Sequence, residues 1–306
     1  MANALGTLFG DIANAIRTKT GDTATMKPID FPTKIMEIEG GGGGGSLPAG
    51  IYLQYVASKP KNGVGRPFVF NNSIHILTKT DGAKELLIYK LENNAFTSVA
   101  TYTTTTSHSL SGAAIVVLNG KVHIIVSQYH YVWDGSTIVA KSNAPIVSTS
   151  ALSYACAHNG ELYWTEQYKH NIYVWNETTD TWTEKINNVG NGTFTKNHGG
   201  IMFSHGDELY YATDSLSKGV YRIIDETPNV EVVSTTLIWR DGTIATDSGA
   251  YCWNGGQLLH NGGNLGLVYN LGTYAYLVEF NGELYVDGGS KNYYAFQKIH
   301  IIEETE

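Results

Sequence analysis

The sequence predicts an all-β protein built by repetition of one hairpin, and three observations carry that prediction. A strand, a two-residue turn rich in Asn and Gly, and a second strand recur six times, at Phe68–Leu77, Val116–Ile125, Cys156–Thr165, Phe203–Ala212, Tyr251–His260 and Val278–Asp287. Asn-Gly between alternating apolar runs favours a tight hairpin because both turn positions require positive φ. The turns, marked by Asn72, Gly120, Gly160, Gly206, Gly255 and Gly282, lie roughly 40 to 50 residues apart except for a shorter last step, the length of a four-stranded propeller blade. Finally, 20 Tyr with only 16% charged residues is the composition of β-strands joined by tight turns.

The first 39 residues follow different rules. Leu5, Leu8, Phe9, Ile12 and Ile16 recur at helical spacing, with Asn3 as a cap and Gly21 as a stop. Asp30 before Phe31-Pro32 starts a second short helix that puts Phe31, Ile35 and Ile38 on one face. Two such helices bury too little apolar surface to offset their ordering entropy, so the segment 1–39 is expected to dock on a partner. Residues 40–46, six glycines and a serine, form a flexible tether, and 47–306 form the β domain.

Within that domain the third unit is clearest, with strands expected at Ala151–Ala157, Glu161–Glu166, Asn171–Trp175 and Thr181–Lys185. The last unit has room for three strands, Tyr274–Val278, Glu283–Val286 and Tyr293–Ile301. Ala49–Ala57 is an apolar strand before the first complete unit, and it is expected to supply the missing one, because an unpaired edge invites aggregation. The fold expected is a β-propeller of six blades, five being the alternative if residues 237–272 form no full blade, preceded by a small α-helical anchor.

A net charge of -8 with Lys and Arg scattered singly argues against nucleic acid as a partner. No apolar run reaches the roughly 20 residues that span a bilayer, and the N-terminus lacks a secretory pattern, so no membrane insertion is expected. Cys156 and Cys252, in equivalent places two units apart, are expected to be reduced and structural. Among ten His, His75 and His123 share a repeat position with Tyr163, Tyr210 and Tyr285, which suits a packing or channel-lining layer better than a metal set. Neither a metal nor a cofactor is expected. Ligand contacts are expected instead from aromatic groups near predicted turns, namely Tyr129, His130, Tyr131, Tyr168, His170, Tyr293 and Tyr294, since rigid rings with amide neighbours suit sugar or protein recognition.

The third unit, NGELYW followed by YVWNETTDTW, resembles a kelch-type blade, which implies the propeller architecture. Asp247–Trp253 resembles a sialidase Asp box, but the β domain holds only Arg66, Arg222 and Arg240 for the arginine clamp that such a site implies; no enzyme activity is expected, with a glycan hydrolase as the alternative. The N-terminal Ile12–Gly21 and Lys27–Ile35 resemble a module that opens tail-fibre and other virion proteins of phages infecting Gram-positive bacteria. That resemblance implies a virion protein assembled in the host cytoplasm, attached to other virion proteins through Leu5, Leu8, Phe9, Ile12, Ile16, Phe31 and Ile35, and homo-oligomeric in the particle. The β domain would then adhere to carbohydrate or protein of the host surface as a tail-fibre, baseplate or receptor-binding protein. A capsid or tail decoration without a receptor role is the other structural expectation.

Overall fold

A computed structural model describes residues 13–14, 17, 50–60, 65–79, 84–145, 153–166, 170–190, 192, 200–213, 219–234, 244–246, 249–254, 257–260, 263–267, 276–287 and 295–302. The first strand is β1 (Gly50–Ser58). A first sheet follows from β2 (Arg66–Phe70), β3 (Ser73–Thr78), β4 (Glu85–Glu92) and β5 (Ala95–Thr103). The second comprises β6 (Ala113–Leu118), β7 (Lys121–Val126), β8 (Tyr129–Trp133) and β9 (Ile138–Ala140). The third comprises β10 (Ser153–His158), β11 (Glu161–Glu166), β12 (Ile172–Asn176) and β13 (Thr181–Ile186). The fourth comprises β14 (Gly200–His205), β15 (Glu208–Thr213), β16 (Gly219–Ile223) and β17 (Val230–Ser234). The fifth comprises β18 (Ile244–Thr246), β19 (Gly249–Asn254), β20 (Gln257–His260) and β21 (Gly263–Leu267). The sixth holds β22 (Tyr276–Phe280), β23 (Glu283–Asp287) and β24 (Ala295–Ile302), with β1 hydrogen-bonded beside β24.

Each sheet is a four-stranded antiparallel meander, and the leading strands touch in series: β22 against β2, β2 against β6, β6 against β10, β10 against β14, and β18 against β22. This is an all-β propeller. The turns carry the geometry that their composition demands, with positive φ at both members of Asn71-Asn72, Asn119-Gly120, Asn159-Gly160 and Asn281-Gly282. In the fourth unit His205 pairs with Glu208, so the turn is Gly206-Asp207 and Gly206 is its first residue rather than its second. Cys156 is a free cysteine packed beside the core shared by the third and fourth sheets, where burial pushes its thiol pKa up.

The sixth sheet is completed by a strand from the other end of the domain, and a buried clasp joins it to the first. Lys59, just after β1, pairs with Asp287 at the end of β23 at 2.5 Å, and the Gly65 amide donates to the second Asp287 oxygen at 2.7 Å. A Cβ on Gly65 would stand 2.6 Å from that oxygen, so only glycine lets the backbone come so close.

Of the segment expected to be a helical anchor, Ala13, Asn14 and Arg17 are described, and they are helical. Leu5, Leu8, Phe9, Ile12, Ile16, Phe31, Ile35 and the glycine tether lie outside the described residues.

Candidate functional site

At two boundaries between sheets an indole covers the ring of the preceding sheet, and the candidate site lies at a boundary that lacks one. The third residue of the second hairpin strand is His75, His123, Tyr163, Tyr210 or Tyr285. On the following strand, Trp133 stands opposite Val122 and Trp175 opposite Leu162. Each indole reaches back to the preceding sheet: Trp133 meets His75 edge-on at 5.4 Å, and Trp175 meets His123 at 5.1 Å. Both histidines are therefore buried. The fourth sheet has Ile223 at that register, and Tyr163 is sealed differently, its hydroxyl donating to Glu226 Oε1 at 2.5 Å.

In the first sheet the same register holds Leu91, one residue beyond the His75–Lys90 pair. A leucine cannot cover what an indole covers. Tyr285 of the sixth sheet stays half-buried, and a groove of about 430 Å³ remains between the sixth and first sheets. Gln54, Asn72, Asn94, Phe280, Tyr285 and Lys298 line it, with Ile74, Leu91 and Val56 as apolar wall. The Tyr285 ring lies parallel to Phe296 at 5.7 Å, and Phe296 meets Phe96 of the first sheet edge-on at 5.5 Å, so aromatic contacts hold both walls.

The polar groups are oriented by one another. Tyr285 Oη donates to Glu283 Oε2 at 2.9 Å, and the Lys298 ammonium, directly across the strand pair, binds the other carboxylate oxygen. Burial, reinforced by the Glu283 carboxylate, pushes the Tyr285 phenol up to about 12. Lys298, then Tyr285, holds Glu283 below the ordinary carboxylate range. His300 Nε2 donates to Gln54 Oε1 at 2.7 Å, and burial lowers the His300 pKa. A ring face, three amides and a neutralised carboxylate-ammonium pair can stack on and hydrogen-bond a polyhydroxylated ligand. Glu283 is poorly suited to general-acid chemistry, which needs a raised carboxyl pKa.

The residues singled out from sequence fall elsewhere. Tyr129–Trp133 is strand β8, not a turn: His130 and Tyr131 are 1% and 4% exposed and belong to the packed interior. His130 Nε2 lies 3.1 Å from His123 Nδ1, and its ring meets Trp175 edge-on at 4.8 Å. Tyr131 Oη bonds His108 Nε2 at 2.9 Å, and the buried His170 bonds Tyr211 Oη through Nδ1 at 2.6 Å. Their places on β8 send the His130 and Tyr131 rings into the contacts between sheets and not to a turn. Tyr129 is half-buried against His108 at the far end of the strands from the groove. Tyr168, Tyr293 and Tyr294 lie outside the described residues. Arg66 covers the Tyr276 ring at 3.6 Å while Arg222 sits on β16, so these two form no common clamp. Among the described residues, no group of three or more His, Cys, Asp or Glu could hold a metal ion.

The missing indole was visible in the sequence: Tyr89-Lys90-Leu91 stands where the next units have Tyr131-Val132-Trp133 and Tyr173-Val174-Trp175. Gln54 gave no such signal: its strand was expected in the last unit, but its register opposite Lys298 is set by the pairing of β1 with β24.

Neither a protein-family model nor a curated protein matches the sequence. Among solved structures, the chain is similar to an auxiliary nutrient binding protein from Bacteroides thetaiotaomicron, with TM-score 0.54 and 11% identity over 82% of this chain and 76% of that one. It is also similar to virginiamycin B lyase from Staphylococcus aureus, in a catalytically inactive form with quinupristin, with TM-score 0.50 and 13% identity over 82% and 100%. At such identities the likeness establishes the fold alone.

Proposed function

We propose that the protein is a structural protein of a phage virion, a tail-fibre, baseplate or receptor-binding component, whose propeller adheres to glycan of the host cell surface. The six sheets serve as the blades of one ring, residues 1–39 attach it to other virion proteins, and the glycine tether lets it reach outward. The observation that carries the adhesive part is the groove between the sixth and first sheets, where Tyr285 and Phe280 stand beside Gln54, Asn72, Asn94 and the Glu283–Lys298 pair. The virion part rests on the resemblance of Ile12–Gly21 and Lys27–Ile35 to the phage module. Adhesion is favoured over hydrolysis because no Asp or Glu is among the described residues lining the groove, and Glu283, bonded to the lining residues Tyr285 and Lys298, has its carboxyl pKa lowered.

A glycan array probed with the whole chain, beside a reducing-sugar release assay on the bound glycans, tests this function. Retention without release is the expected result. Release would make the protein a hydrolase, and absence of any retention would leave it a decoration.

A further inference from the structure

The groove's polar triad has a counterpart two sheets away. In the sixth sheet Glu283, Tyr285 and Lys298 occupy the first and third positions of β23 and the residue across from Tyr285 on β24. In the fourth sheet Glu208, Tyr210 and Arg222 occupy the same three places on β15 and β16. The bonds repeat as well: Tyr210 Oη donates to Glu208 Oε2 at 2.7 Å, and the Arg222 guanidinium binds Glu208 Oε1 with one arm and Glu231 with the other. The Tyr210 ring is stacked on Phe203, its partner across from it on β14, at 5.0 Å and 8°, and the Tyr285 ring on Phe296 of β24, so each ring has an aromatic backing though from a different strand. Both tyrosines are half-buried, whereas His75, His123 and Tyr163 at the same position are sealed by Trp133, Trp175 and Glu226.

We propose that Glu208, Tyr210 and Arg222 form a second binding station for the same ligand class, so that one chain grips a repeating glycan at two points. This rests on the adhesive function proposed above and adds its valency. A ring face with an adjacent ionised pair presents both an acceptor and a donor to neighbouring hydroxyls of a sugar. Two such stations on one rigid ring turn the second contact into an intramolecular event.

The test titrates the full chain with polysaccharide extracted from Gram-positive cell walls, intact and cut to single repeating units. The intact polymer is expected to bind about 100-fold or more tightly than the single unit, the gain that linked sites supply. Arg222→Gln and Tyr210→Ala should each remove the gain without abolishing binding of the single unit, and Arg222→Lys, which copies the sixth sheet, should keep it. Melting curves confirm that each variant is folded. A gain that survives both Arg222→Gln and Tyr210→Ala overturns the second station and leaves the groove intact. Failure of the unaltered chain to bind either probe overturns the adhesive function and the second station together.

Discussion

The imidazole of His75 and the indole of Trp133 meet edge-on at 5.4 Å across the boundary between the first and second sheets, and Phe68 and Phe70 close around the same indole. Trp133 is 2% exposed, so replacing it by Leu removes contacts that the neighbouring sheet cannot recover. Trp133→Leu is expected to cost about 2 to 4 kcal/mol in denaturant unfolding. A loss below about 1 kcal/mol would mean that this contact between sheets does not hold them together.

The clasp between Lys59 and Asp287 is buried on both sides, 1% and 0% exposed. Asp287→Ala removes the buried carboxylate that both the Lys59 ammonium and the Gly65 amide contact, and the expected cost is about 3 to 5 kcal/mol. Gly65→Ala should act in the same direction by pushing the carboxylate away. Unchanged thermal melting in both variants would contradict a clasp at the ring closure.

His123 and His130 are expected to contribute to the response to acid, with His75, His108 and His300 lowered in the same direction. Burial, more than any neighbouring charge, lowers His123 and His130 to about 4 and about 3. A lowered histidine pKa means that the fold prefers the neutral ring, so above the unfolded value near 6.5 stability is unaffected by this pair. As pH falls from about 6.5 toward 4 and 3, the unfolded chain takes up protons that the fold refuses, and each group costs up to about 1.4 kcal/mol per pH unit. The melting temperature should therefore fall over that window, and His130→Phe should flatten the fall. A melting temperature constant from pH 7 to 4 would show that the pair is not held neutral.

The proposed attachment through residues 1–39 is tested in particles. Phe9→Ala with Ile12→Ala is expected to abolish incorporation into virions while the β domain melts as before, since each buried apolar side chain is worth about 2 to 5 kcal/mol. Normal incorporation would place the attachment elsewhere.

Much of the fold was legible because the turns are chemical: Asn-Gly pairs announce positive φ, and β11 begins and ends where its alternation predicts, at Glu161 and Glu166. The strand Gly50–Ser58 was legible through the deficit it fills in the last unit. The groove was less legible, because proximity of an aromatic residue to a turn does not say what covers it. His130 and Tyr131 are aromatic and near a turn, yet Trp175 and His108 enclose them. Tyr285 reads as one more member of a packing column, and only the neighbouring sheet's Leu91, distant in sequence, leaves it half-open. Openness is a property of pairs of sheets, and one strand's pattern does not contain it.

The central claim is that the groove beside Leu91 is the binding site, and Leu91→Trp tests it most directly, because an indole at this register fills the space as Trp133 and Trp175 do in the next two sheets. Calorimetric titration with wall polysaccharide should show binding by the unaltered chain and a loss of at least about tenfold in affinity for Leu91→Trp, with the melting temperature maintained or raised. Undiminished binding by a folded Leu91→Trp protein would contradict the account and move recognition away from this groove.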